Sequence, residues 1–247
     1  MTDHVLFREA SDPGTLPSRL RELSKHPSET IRGAVALNQS TDSKTLLSLV
    51  GDSSTHVLEN LKTAQSDFLP DSYDFTATKD TKLSLVHVND AEFILSLRLD
   101  PSLNKYLSHV DDNLDQQKEW LRTYKKRQAR RSEFYFIIKD LDDIRLGTVR
   151  LYDFRPGSFC WGSWIVKPGS PRKTAIESAL NVYEFAFYVL GFSASHFDVR
   201  NENAKVIKFH ERMGAQIVKS DNLDTYFILE KANYEEAKSG YKHFLAP

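Results

Sequence analysis

The chain has 247 residues, 40% hydrophobic and 27% charged, with only 10 Gly and 9 Pro; it can bury a core, which excludes collagen-like and wholly disordered classes. Lys and Arg total 33 against 34 Asp and Glu, and a net charge of -1 gives no global basic field to hold a nucleic-acid backbone. A single cysteine, Cys160, excludes an intrachain disulfide framework and any metal site built from several thiolates.

The expected setting is the reducing cytoplasm, without membrane contact, since no stretch reaches the roughly 18 apolar residues of a membrane span. The size fits one medium domain with a small companion.

The front of the chain repeats. Thr15, Leu20, Leu23, His26, Ile31 and Val35, moved forward by 26 positions, fall on Thr41, Leu46, Leu49, Asp52, Val57 and Leu61, and five of the six pairs are identical or apolar on apolar. Each unit reads as two short helices around a break, with Leu16, Leu20 and Leu23 before His26-Pro27 and Ile31, Ala34 and Val35 after it. Ser54 and Thr55 are the matching cap candidates of the second unit. The stretch from Ile31 to Asn38, followed by Leu46-Leu47-Ser48-Leu49, resembles the leucine-rich-repeat-variant family, a solenoid of paired short helices, over about residues 12–64. This reading gives a helical repeat domain at 1–66, either a packing module or a docking surface for a protein partner. Turn formers without a clear period then mark a linker at 67–80.

From residue 81 the element type alternates. A strand around Leu83 and Leu85 precedes a helix capped by Asp90 and running through Leu97, and a longer helix covers about 114–128. Three strands follow at 133–139, 145–153 and 159–166, then a helix at 174–190, a strand at 196–200, a helix at 204–213 and strands near 215–219 and 225–230. The order β-α-α-β-β-β-α-β-α-β-β describes a mixed α/β (α+β) layer structure.

The segment from Asn203 through His210-Glu211-Arg212-Met213-Gly214-Ala215, together with Ala175-Ile176-Glu177-Ser178-Ala179-Leu180, is similar to the GNAT acetyltransferases, in the branch of ribosomal-protein and aminoglycoside enzymes, over about residues 81–230. The resemblance implies a mostly antiparallel central sheet flanked by helices in a domain spanning 81–247. It also implies acetyl-CoA as co-substrate, with no metal.

A helix starting near Thr174 presents N–H groups and a positive dipole end to a pyrophosphate, and Arg172, Lys173, Thr174 and Ala175 are the candidate contacts. The loop Lys167–Ala175 holds one glycine and two prolines where the family has spaced glycines, so Arg172 and Lys173 would have to supply charge. The resemblance further implies that the pantetheine arm pairs with the backbone of Trp164, Ile165 and Val166, and that Asn203 touches the cofactor; a simple N-cap would need the same residue type.

His210 stands where many members carry a tyrosine, and a histidine can donate or accept a proton near neutral pH. Asp198 is the candidate base, with His196, Asp153 or an ordered water as alternatives, and Trp161 and Arg200 are candidate acceptor contacts. Trp161 and Trp164, three positions apart, should face opposite sides of a regular strand. Cys160 reads as a small buried apolar residue, and the basic run Lys125–Arg131 as a solvated helix end.

The function that follows is N-acetyl transfer from acetyl-CoA to a primary amine by direct attack in a ternary complex, on a small molecule such as an amino sugar or its nucleotide conjugate. The alternatives are a protein N-terminus or lysine docked by the repeats, and a non-catalytic acyl-CoA-binding module.

Overall fold

The computed structural model describes residues 2–64 and 73–247. The front is all-helical: α1 (Asp3–Ser11), α2 (Pro17–Leu23), α3 (Glu29–Leu37), α4 (Ser43–Ser48) and α5 (Thr55–Thr63). α1, α3 and α5 begin at residues 3, 29 and 55, so the 26-residue period extends one helix further forward than the sequence pattern reached. α3 and α5 approach closely because residue 33 lacks a side chain: a Cβ on Gly33 would lie 2.9 Å from both Asn60 and His56. Asp42 caps α4 by accepting from Thr45 N at 2.7 Å. Ser54, expected as a cap, makes no cap bond and donates to Glu29 instead.

The remaining chain forms an eight-stranded sheet in the order β1-β2-β3-β4-β5-β6-β8-β7. The strands are β1 (Asp74–Phe75), β2 (Thr81–Leu85), β3 (Phe134–Asp140), β4 (Arg145–Arg155), β5 (Ser158–Val166), β6 (Ala194–Arg200), β7 (Gln216–Ser220) and β8 (Asp224–Glu230). Neighbours run antiparallel except β5 and β6, which are parallel and pair only at Ser158↔Ala194 and Phe159↔Ser195. Beyond those two pairs the strands separate, opening a wedge in mid-sheet.

Side-chain alternation along β3 divides the core between two faces. Tyr135 and Ile137 pack with Ile94 of α6 (Ala91–Leu99) and with Leu121 and Tyr124 of α7 (Leu114–Ala129). Phe134, Phe136 and Ile138 pack in the main cluster with α8 (Thr174–Glu184) and the π-helical turn that continues it over Phe185–Val189. α9 (Ala204–Arg212) links β6 to β7. A helix the sequence pattern left out, α10 (Lys231–Lys238), precedes a final 3-10 turn over Ser239–Phe244. Among the described residues no helix is long and apolar enough to cross a membrane.

Of the expected linker at 67–80, residues 67–72 lie outside the described residues. The rest joins the sheet: β1 pairs Asp74↔Ser84 and Phe75↔Leu83, Thr78 bridges Leu245, and the Tyr73 and Phe75 rings lie 6.1 and 5.2 Å from Phe185. The helical region shares its hydrophobic core with the sheet. Gly51 N donates to Leu190 O at 2.7 Å, Arg131 Nη1 donates to Leu61 O at 2.6 Å, and a Cβ on Gly191 (φ +79°) would lie 2.3 Å from Ser48 O. The basic run Lys125–Arg131 is therefore partly internal: Arg131 and Gln128 are buried and Arg127 pairs with Glu133 at 2.6 Å.

Candidate active site

The wedge is shaped by a bulge. Thr148 pairs with Ile165 and Arg150 with Gly162, so β5 spends one more residue than β4 over this interval. Ser163 absorbs it in the left-handed region (φ +47°). The extra residue reverses the alternation and corrects the sequence expectation: the Trp161 and Trp164 rings lie on one side, 5.3 Å apart. Trp161 is buried and donates to Tyr183 Oη at 3.2 Å, so it packs in the core and lies outside the cavity on the α6/α7 face. Trp164 is half-buried, donates to Ser178 Oγ at 3.0 Å and lies 5.2 Å from Phe209. Past Phe159 the edge of β5 that faces β6 carries no ladder, which leaves the peptide groups of Trp164, Ile165 and Val166 open on that side.

At the start of α8, Thr174 N donates to Pro171 O and Glu177 N to Lys173 O, each at 2.9 Å; among the described residues no backbone carbonyl outside the helix takes the N–H of Ala175 or Ile176. The Thr174 side chain is buried, and Lys173 is ion-paired with Asp80, which raises its pKa. Arg172 is exposed and makes no ion pair among the described residues. Of the four expected pyrophosphate contacts, Arg172 and the Ala175 peptide are thus available, while Lys173 is committed elsewhere. Asn203 occupies the N-cap position of α9, but its side chain makes no cap bond.

His210, on α9, is 4% exposed and enclosed by the rings of Phe197, Trp161 and Phe209 at 4.2, 5.4 and 5.5 Å. Its Nδ1 is buried without a partner, and burial pushes its pKa down to about 3. Titration near neutral pH, as the residue type suggests, is therefore lost: the ring is neutral there.

The three candidate bases differ. His196 bridges Ser158 and Asp153, with Nδ1 3.0 Å from the hydroxyl and Nε2 3.1 Å from the carboxylate. Asp153 is held below the usual carboxylate range by Arg155 and His196. Asp198 is pushed up, first by partial desolvation against the sheet and then by the Asp224 carboxylate. Arg200 pairs with Asp224 at 3.0 Å and lies outside the cavity on the α6/α7 face. Cys160 is buried and its thiol is pushed up to about 11, which leaves it inert.

A cavity of about 310 Å³ opens on the α6/α7 face against the bulge, with Ser163 in its wall; Arg98 of α6, Trp120 of α7, Tyr135 of β3 and Arg150 of β4 also line it. No carboxylate lines it. Arg150 Nε donates to Glu133 Oε1 at 2.5 Å, and its guanidinium lies 4.9 Å from the Tyr152 ring and 5.3 Å from the Trp120 ring. Arg98 Nη2 donates to the Ser108 carbonyl and hydroxyl at 2.9 and 2.8 Å. Sequence reasoning missed Arg98, Trp120, Tyr135 and Arg150, because nothing in their local patterns separates them from the rest of the 33 cations or from the core aromatics.

A family model described as the acetyltransferase (GNAT) domain matches residues 82–216. Among solved structures, apo FdhC, described as a nucleotide-linked sugar GNAT, is similar at 47% identity and a TM-score of 0.65, covering 70% of this chain and 100% of that one. Spermidine N-acetyltransferase from Vibrio cholerae, in complex with CoA and spermine, is similar at 18% identity and a TM-score of 0.54, covering 63% of this chain and 98% of its own. An acetyltransferase of the GNAT family from Bacillus anthracis gives 13% and 0.55, over 64% and 99%. The last two share the fold alone. No curated protein matches the chain.

Proposed function

The chain belongs to the acetyltransferase (GNAT) family, and from that membership we propose that it moves the acetyl group of acetyl-CoA to the primary amine of a nucleotide-linked amino sugar by direct transfer in a ternary complex. The observation that carries the acceptor assignment is the cavity at the β5 bulge, walled by Arg98 and Arg150 and free of carboxylates. Such a wall repels a polycationic amine such as spermidine and attracts a phosphate-bearing one. The 47% identity to a nucleotide-linked sugar GNAT supports the same choice.

The residues fit the co-substrate. The open N–H groups of Ala175 and Ile176 with Arg172 suit its pyrophosphate, the unpaired edge of β5 at Trp164, Ile165 and Val166 suits its pantetheine amides, and the Asn203 side chain is unengaged. Bound there, it supplies an activated thioester. The acceptor nitrogen attacks the thioester carbonyl carbon, the C–N bond forms, the C–S bond breaks, and the sulfur leaves as thiolate. Asp198, whose pKa is raised by desolvation and by Asp224, is the better proton acceptor for it and takes the proton lost from nitrogen through solvent in the wedge, and the thiolate is reprotonated from solvent. His210 acts as a neutral hydrogen-bond donor to the sulfur, because its imidazolium is too acidic to be populated.

The test is release of free CoA thiol with a panel of amines. Turnover with nucleoside-diphosphate-linked amino sugars and none with spermidine is expected; a preference for spermidine or for peptide amines overturns the acceptor assignment.

A further inference from the structure

Arg98 carries an unmet hydrogen bond. Its Nη2 is fixed by Ser108, which orients the guanidinium, yet its Nε is buried with no partner in the wall of the acceptor cavity. A guanidinium cannot deprotonate or turn acceptor, so what is missing is an acceptor. No carboxylate of the cavity wall can supply it. The second guanidinium of the wall, Arg150, shares the single carboxylate of Glu133 with Arg127, at 2.5 and 2.6 Å. The wall thus holds two guanidiniums and no carboxylate, and Glu133 behind it is shared between Arg150 and Arg127, an excess of positive charge that fits a dianionic ligand with forked geometry.

We infer that Arg98 and Arg150 form a phosphate-binding fork that takes the diphosphate of the acceptor and so directs its sugar amine toward Ser163 at the β5 bulge. This assignment rests on the proposed acceptor class and adds the residues that read it. Arg98 is the specificity-determining member, because its Nε lacks an acceptor while Ser108 holds its Nη2 in place, whereas the Arg150 Nε is already held by Glu133. Lysine at position 98 keeps the charge and loses the fork.

The experiment is titration calorimetry of the full chain with uridine or thymidine diphosphate, and separately with inorganic pyrophosphate, at saturating CoA so that the α8 end is already filled. Wild-type protein is expected to bind the nucleoside diphosphate. Arg98→Lys and Arg98→Ala should weaken binding about 10- to 100-fold, the range of a hydrogen bond to a charged group. The melting temperature of Arg98→Lys should stay that of wild type. Unchanged affinity in both variants overturns the fork, as does absence of binding to the wild type.

A kinetic arm separates the fork from the acceptor assignment. With a nucleotide-linked amino sugar, Arg98→Lys should raise KM about 10-fold or more, and at least about 10-fold more than it raises KM for the unphosphorylated amino sugar. If phosphorylated and unphosphorylated acceptors suffer alike, the fork falls and the acceptor class stands. If the diphosphate binds through Arg98 but no nucleotide-linked amino sugar is acetylated, the fork stands and the acceptor class falls.

Discussion

Enclosed by the rings of Phe197, Trp161 and Phe209, His210 stays neutral down to about pH 3, which separates its stability role from any titrating one. In the unfolded chain a histidine protonates near pH 6.5, so between about 6.5 and 3 the unfolded state binds a proton that the folded state refuses. Stability must therefore rise with pH across that window and flatten above it, and the term costs about 2 kcal/mol at pH 5 relative to neutral pH. His210→Phe should remove that part of the slope in denaturant melts at pH 7, 6 and 5, and an unchanged slope refutes the assignment. The same variant should lose turnover about 100-fold, with acetyl-CoA affinity within about threefold of wild type, because only a donor to the developing thiolate is deleted. At the other end of the co-substrate, Arg172 and Lys173 share a residue class but not a state, since Lys173 is held by Asp80. Arg172→Ala should weaken acetyl-CoA binding about 3- to 10-fold in calorimetry, less so in high salt, and Lys173→Ala should change it less.

Among the elements, β5 does most to build the site, and its bulge brings close contacts. A Cβ on Gly162 would lie 2.9 Å from Tyr152 Oη. Gly162→Ala should therefore cost about 1–3 kcal/mol in chemical denaturation, and the cost should largely vanish in a Tyr152→Phe background, a coupling that a double-mutant cycle measures directly. Strands β3, β4 and β5 were legible within about two residues, because their apolar runs and alternation follow from the pleat. The bulge was not legible: its left-handed residue is Ser163, where sequence rules look for glycine, so Trp161 and Trp164 were assigned to opposite sides. α1 escaped because no preceding unit shows its period, and α10 because its polar sequence holds one buried residue, Tyr234. The wall of the cavity escaped for a different reason: Arg98, Trp120 and Arg150 sit on three elements and meet only in the folded chain. The start of α8 was more readable, since Thr174 begins the helix where the local pattern places it.

For the whole molecule, the consequential feature is the seam between the helical region and the sheet, where backbone meets backbone. Gly51 N bonds Leu190 O at 2.7 Å, and Gly191 at φ +79° leaves room for Ser48 O only because it has no side chain. The seam lies at the far end of α8 from its first turn, the proposed pyrophosphate site, so the helical region braces α8 and is more than a tethered appendage. A shared core of this kind predicts one calorimetric unfolding transition for the full chain, not two. Gly191→Ala tests it, because the new Cβ would lie 2.3 Å from a carbonyl that cannot swing aside. Gly169→Ala is the matched control: it has the same sign of φ (+84°) and nothing within 4 Å of the added carbon. The control should cost about 1 kcal/mol of backbone strain. Gly191→Ala should cost about 2 kcal/mol more and lower the melting temperature by several degrees beyond the control. If the two variants melt together, the seam contributes nothing beyond backbone conformation, and the helical region unfolds independently of the transferase sheet.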